Sequence, residues 1–81
     1  MARFYLHLRT DGKIHLDDEG MDLPSIEAAK EEALKSAREL LAEAIKHGKP
    51  VAEEIIIADE AGRQLEIVPL SAVLPKSLSR P

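Results

Sequence analysis

The side chains of this sequence that could do chemistry lie near its amino end. His7, His15 and Asp17 supply two imidazoles and a carboxylate, the donor types that hold zinc and similar ions. The same residues also fit a solvated sheet face on which two neutral rings stack, since an open face offers no pocket for a ligand. We expect no metal ion and no cofactor, and we keep His7, His15 and Asp17 as the candidate metal ligands should one bind.

The remaining polar groups have simpler roles than catalysis. The acidic run after His15 lacks the alternating ligands of a calcium loop, and we interpret it as linker charge beside a helix start. Ser25 has no candidate base beside it and suits a helix cap, while His47 complements the negative end of a helix dipole. The sequence has no phosphate-binding glycine loop. We therefore expect no catalytic residue, and a protein that is not an enzyme.

The composition further limits the classes of fold and function that the sequence allows. The 81 residues are 44% hydrophobic and 32% charged, which is typical of one globular domain and not of a disordered chain. There is no cysteine, which excludes disulfides and thiolate metal sites. The net charge of −4, with Phe4 and Tyr5 as the only aromatic residues, argues against nucleic-acid binding. No signal peptide or membrane anchor is visible, and we expect a cytoplasmic protein that binds neither nucleic acid nor membrane.

The fold that positions the candidate residues is organised around one long helix, predicted over residues 25–47. Ser25 is a good N-cap, and Gly48 can adopt the left-handed conformation that ends a helix. Apolar side chains recur between them at spacings of three and four residues, which predicts one buried stripe. Three alanines in the first half leave that stripe flat enough for a sheet to approach closely: Ala29, Ala33 and Ala37.

Two hairpins are predicted, one on each side of the helix in the sequence. We choose their loops by requiring paired side chains to point to the same face. In the first, a three-residue loop ending at Gly12 pairs Leu8 with Ile14 and His7 with His15. In the second, a three-residue loop ending at Gly62 gives these predicted pairs: Ala58 with Gln64, Ile57 with Leu65, Ile56 with Glu66, and Ile55 with Ile67.

The fold class that follows is α+β, a two-layer ββαββ arrangement with a mostly antiparallel four-stranded sheet and the helix on one face. We expect a single domain over residues 1–74 and a frayed tail over 75–81. A short helical turn formed by Leu70, Val73 and Leu74 is expected to cover one edge of the core.

A single helix covers only one face of a sheet, so the other face should carry the interaction surface. Our interface candidates on that face are Tyr5, Ile56, Ala58 and Val68, with Glu66 on the rim. An apolar row on an open sheet is typical of a protein interface, and the simplest partner is a second copy, paired through the open face or a sheet edge. The alternative is a monomer with a few exposed apolar residues.

The sequence also resembles a known family. Its opening RFYLHLRTDG (residues 3–12), the stretch DDEGMDLP (17–24), the alanine-rich helix and DEAGR (59–63) are similar to a family of short bacterial proteins of unknown function, over about residues 1–68. That resemblance implies a small bacterial domain and no particular activity. More distantly, the element order resembles antitoxin domains of the HicB kind, which implies a second hypothesis: a toxin-neutralising protein with a basic partner. Residues 70–81 are too few for the helix-turn-helix that such antitoxins often carry.

Overall fold

The computed structural model describes residues 1–48 and 52–73. Its elements, in chain order, are β1 (Ala2–Thr10), β2 (Lys13–His15), β3 (Met21–Leu23), α1 (Ile26–His47), β4 (Glu54–Ala58), β5 (Gln64–Pro69) and a 3₁₀ turn (Leu70–Val73). The predicted α+β class and two-layer arrangement are confirmed, and the structure adds β3 as a short extra strand. Our predictions for Leu74 and for the tail at 75–81 lie outside the described residues.

Both predicted ends of the helix are confirmed. The Ser25 hydroxyl accepts a hydrogen bond from the N–H of Ala28 at 3.1 Å, which satisfies a free donor of the first turn. At the other end, the N–H of Gly48 donates to the carbonyl of Ala44, with Gly48 at φ 64°. Within the described part of the chain, no helix is long and apolar enough to cross a membrane.

The helix packs closely because its buried side chains are small. Ala29, Ala33 and Ala37 are fully buried against the sheet, while Leu34 and Leu40 pack around them and stay partly exposed. From the sheet, Ile55 and Ile57 supply the largest fully buried side chains. The core therefore joins a flat alanine stripe of α1 to the aliphatic centre of the sheet. The 3₁₀ turn closes one end with Leu70, as predicted for that residue.

The sheet has the order β2-β1-β4-β5, and every pairing in it is antiparallel. β1 lies inside the sheet beside β4, and its other edge is shared by two short strands: β3 pairs with residues 2–4 and β2 with residues 8–10. The first predicted hairpin contains the second of these strands, and β3 was not predicted. Three residues are too few to show a period of two.

The predicted register of the first hairpin is wrong. The structure pairs Leu8 with His15, Arg9 with Ile14 and Thr10 with Lys13, which leaves a two-residue loop. Both loop residues have positive φ, 55° for Asp11 and 76° for Gly12, and this geometry matches the twist of two adjoining strands. The Asp-Gly turn therefore prevails over face matching. As a result, Ile14 lies on the face away from the helix, and His15 lies on the helix side.

The second hairpin has the predicted loop, but its strand register differs from the prediction beyond the first pair. The three-residue loop is confirmed by the N–H of Asp59, which donates to the carbonyl of Arg63 at 3.0 Å, and Ala58 pairs with Gln64. A β-bulge follows, so Ile57 pairs with Glu66 where we predicted Leu65. The one-residue shift exchanges the two faces for the rest of β5, because side chains alternate along a strand.

The bulge corrects two of the predicted interface residues. Val68 lies opposite Ile55, is buried and belongs to the core beneath the helix. Glu66 also lies on the helix side, where its carboxylate is 3.6 Å from the Lys30 ammonium. Neither side chain is on the open face, so both predicted positions there were wrong.

Candidate interaction site on the outer face of the sheet

The candidate site is the face of the sheet that points away from α1, here called the outer face. Strand pairing arranges its residues in three rows, separated by two residues along each strand and hence by about 7 Å. The first row contains Tyr5, Ala58 and Gln64; the second His7, Ile56 and Ile67; the third Ile14, Arg9, Glu54 and Pro69. The centre of the face is therefore mainly apolar, and charge lies toward its ends.

A groove of about 500 Å³ runs along this face. Its floor contains Ile56 and Ala58, which are only 4% and 2% exposed. Its sides include Ile14 and Leu16 of the first hairpin, at 51% and 73% exposed. Both residues are on the predicted face, but their neighbours bury them, so the aliphatic surface that a partner could contact belongs to the rim.

Only some of the residues of this surface were predicted from the sequence. Of the five predicted interface residues, Tyr5, Ile56 and Ala58 lie on the outer face. Reasoning from face alternation missed Ile14, Leu16 and Ile67, which are the exposed apolar residues of that face. The Asp11-Gly12 dipeptide was the signal that could have found two of them, because it favours a two-residue loop and so places Ile14 and Leu16 outside.

Asp17 is one of two carboxylates of the site that each accept three hydrogen bonds; the other is Asp59. The Asp17 carboxylate accepts the N–H groups of Leu6, Glu19 and Gly20, each at 3.1 Å. Burial would raise the pKa of Asp17, but these three donors and the nearby His7 outweigh it and hold the pKa below its usual value. The carboxylate thus closes the gap between β2 and β3 by satisfying a backbone donor of β1.

The two candidate histidines are not a pair. His7 lies on the outer face and stacks on Tyr5, with ring centroids 6.3 Å apart. His15 pairs with Leu8 and so lies on the opposite side of the sheet. The ligand set predicted for His7, His15 and Asp17 is therefore not assembled, and residues 1–48 and 52–73 contain no cluster of three side chains suited to a metal ion.

Acidic groups lie at the first-row end of the groove, some beside that row and some beyond it: Asp17, Asp18, Asp59 and Glu60. Asp59 and Glu60 follow Ala58 along the chain, whereas Asp17 lies beside β1 between the first and second rows, because it bonds to Leu6 and His7. Asp59 is bound to Arg63 at 2.9 Å, and the hydrogen bond from the Arg63 backbone N–H, together with the Arg63 guanidinium, lowers the pKa of Asp59. The ion pairs formed among the described residues do not include Asp18 or Glu60. These two carboxylates are exposed and leave this end negative.

The opposite end of the outer face carries Arg9. Its Nε is 3.4 Å from a carboxylate oxygen of Glu54, within the range of an ion pair but long for a hydrogen bond. That Nε is buried and has no hydrogen-bond partner among the described residues. The Arg9 side chain is 36% exposed, so part of the guanidinium reaches the surface.

Fold and site together define a small α+β protein with one helical layer and a grooved sheet face that no element of residues 1–48 and 52–73 covers. The chain belongs to the family described as Domain of unknown function (DUF6894), whose model matches residues 3–71. Membership of a family of unknown function agrees with the resemblance seen in the sequence. No curated protein matches the chain, and no solved structure does.

Proposed function

We propose that this protein is a non-catalytic interaction module that associates with a second copy of itself through the outer face. The observation that carries the proposal is the exposed apolar surface beside the groove, formed by Ile14, Leu16 and Ile67. Apolar side chains grouped on one face lose contact with water when a partner covers them, at about 25 cal/mol per Å² of apolar area.

Pairing through the face is favoured over pairing through an edge, because both edges are protected. The edge of β1 is covered by two three-residue strands and the Asp17 carboxylate. The edge of β5 begins with a bulge. It ends at Pro69. The N–H of Leu70 points toward β4, so the nitrogen of Pro69, one residue earlier, faces the open edge. That nitrogen carries no hydrogen and cannot donate to an added strand. Short strands, bulges and proline all oppose strand addition.

The size of the face sets the strength expected of the association. Three rows across four strands cover roughly 300–400 Å² of flat area, given strands about 4.8 Å apart and rows about 7 Å apart. Specific interfaces usually bury about 800 Å² per partner, and this face is below that size even after allowing for its relief. We therefore expect a weak, concentration-dependent dimer with a dissociation constant in the micromolar range or above.

The non-catalytic part of the proposal is supported by how the polar groups are used. Both oxygens of Asp17 accept backbone N–H groups, and Nδ1 of His7 accepts the N–H of Asp17 at 3.0 Å. Groups that hold a loop in place are poorly suited to exchange protons with a substrate, since catalysis would require those bonds to break.

Light scattering over a concentration series of about 10 μM to 1 mM tests the proposal. Ile67→Glu and Ile14→Glu should each shift the protein toward the monomer, because they place a charge in the apolar contact. Ile45→Glu is the matched control: Ile45 is an exposed isoleucine on α1, 68% accessible, and should leave the mass unchanged. A wild-type protein that stays monomeric throughout would refute self-association.

A toxin-neutralising role, by binding a basic protein at the same face, is the second candidate. The observation that favours it is the negative end of the groove, where Asp18 and Glu60 are exposed. A monomeric protein that binds an arginine-rich peptide, and loses that binding in Asp18→Asn/Glu60→Gln, would favour this role over self-association. Such binding should also weaken as salt is added.

A further inference from the structure

The two ends of the outer face differ in charge. At one end Asp18 and Glu60 are exposed and outside the ion pairs of the described residues. At the other end Arg9 has five N–H donors, and its one ion-pair contact is the 3.4 Å approach of Nε to Glu54. Glu54 stands in the same row as Arg9, so that end is close to neutral, and the difference in charge between the two ends favours one orientation of the face over its own copy.

Two sheets can stack face to face with their strands within about 30° of alignment in two symmetric ways. A twofold axis parallel to the strands would put the acidic end of one copy over the acidic end of the other. A twofold axis across the strands, through the row of His7, Ile56 and Ile67, reverses the rows. Arg9 and Tyr5 lie two residues to either side of His7, so this second axis brings the Arg9 row of one copy over the partner's Tyr5 row.

We propose that the second copy docks about this axis, so that the Arg9 guanidinium of each chain enters the acidic end of the other chain's groove and contacts Asp18 and Glu60. The proposal rests on the self-association proposed above and adds its orientation. Each copy brings its Arg9 to the exposed carboxylates of the other, where the one guanidinium already present among the described residues, that of Arg63, is paired with Asp59, and the apolar middle rows pack on each other. Opposed charge favours this arrangement, since like charges brought together at an interface are strongly disfavoured.

A charge exchange between two variants tests the orientation. Variant A carries Arg9→Glu, and variant B carries Asp18→Lys together with Glu60→Lys. Each variant alone should form its homodimer at least about tenfold more weakly than the wild type, because both contacts become repulsive. An equimolar mixture should form the A–B heterodimer at near wild-type affinity. In one of its two contacts both charges are reversed in sign and still attract, and the other contact is that of the wild type. Native mass spectrometry separates the three dimers by mass.

The salt dependence of the dimer affinity tests the same contact independently. If Arg9 meets the acidic end, raising ionic strength from about 0.05 to 0.5 M should weaken the wild-type dimer, because the attractive charges are screened. If the acidic ends meet each other, the same change should strengthen it. Ile14→Ser, which retains every charge, should lower the affinity without reversing the salt dependence.

Variant A places two carboxylates side by side, because Glu54 pairs with residue 9 across the strands. Arg9→Gln removes the charge without adding repulsion and should weaken the homodimer less than Arg9→Glu does. Mixed with variant B it should be rescued only in part, because Arg9 of variant B then meets the native carboxylates of the other chain and the second contact stays neutral. Thermal unfolding of each variant checks that the monomer remains folded. A–A, A–B and B–B dimers in statistical 1:2:1 proportion, with Ile67→Glu still dissociating the wild type, would overturn the orientation and leave self-association standing. A monomeric wild type would overturn both.

Discussion

The N–H of Asp17 donates to Nδ1 of His7 across 3.0 Å, and the carboxylate of Asp17 accepts the N–H of Leu6 at 3.1 Å. One residue thus binds the middle of β1 twice, at the point where neither short edge strand reaches it. The connection from hairpin to helix is therefore a fixed part of the sheet.

Acid stability should report on Asp17. Its folded pKa is lower than its usual value, so the unfolded chain binds the proton more readily. The stability it contributes is fully present above the unfolded pKa of about 3.9 and is lost as pH falls through the folded pKa. Urea unfolding from pH 7 to pH 2 should show stability falling below about pH 5. The slope of that fall should be smaller in Asp17→Asn.

At pH 7, Asp17→Asn should cost about 1–3 kcal/mol, because an amide group would face backbone donors that need an acceptor. Asp18→Asn is the matched control, with an exposed carboxylate next along the chain, and should change stability by less than about 0.5 kcal/mol. Equal losses in the two variants would mean that the backbone contacts of Asp17 contribute little.

Gly20 should tolerate alanine less well than Gly62. Both have positive φ, 73° and 83°, so both substitutions cost about 1 kcal/mol in backbone strain. A Cβ at Gly20 would also lie 2.8 Å from Cε2 of Tyr5 and 3.1 Å from the carbonyl oxygen of Phe4, whereas nothing lies within 4 Å at Gly62. We expect Gly20→Ala to unfold at a lower temperature than Gly62→Ala, by roughly 1–3 kcal/mol of stability.

The alanine stripe should resist enlargement. Ala33 is fully buried where α1 meets the sheet, and Ala33→Leu should cost about 1–3 kcal/mol or more because helix and sheet must separate. Ala42→Leu adds the same atoms at an exposed helical position and should change stability by less than about 0.5 kcal/mol. Chemical denaturation of the pair measures the difference, and equal midpoints would contradict close packing at Ala33.

Removing core volume should also be costly. Ile57 is fully buried, and Ile57→Ala should reduce stability by about 2–5 kcal/mol, a large part of what a domain of this size has. Ile45→Ala removes the same atoms from a 68% exposed position and should stay within about 0.5 kcal/mol. Thermal unfolding of the two variants in parallel checks this, and a loss of less than about 1 kcal/mol at Ile57 would place it outside the core.

The helix could be predicted from the sequence because its signals are local. Ser25 and Gly48 act within one turn, and the alanine stripe follows from the helical period. The sheet registers could not be predicted by matching faces. That rule assumes that every aliphatic side chain points at the helix, and this sheet has aliphatic residues on both faces. Ile14 and Ile67 are the residues that break the assumption.

The structural role of Asp17 as an acceptor of backbone N–H groups has a local signal in the sequence. Asp17 and Asp59 are each followed by glycine three residues later, and each accepts the N–H of the second residue after it, Glu19 or Ala61. Aspartate followed by such a turn favours structural capping over metal binding. The bond from Leu6 to Asp17 had no such signal, because it joins residues that only the folded sheet brings together.

The protected edges of the sheet bear on how large an assembly the proposed self-association could form. An exposed edge strand is a template, and each added strand exposes a new one, so growth has no natural end and fibres can result. Here the short strands beside β1 and the bulge and Pro69 of β5 interrupt the row of free donors and acceptors. Association through a single face, in contrast, is complete once two copies have met. This geometry favours a closed pair over a polymer, even at high concentration.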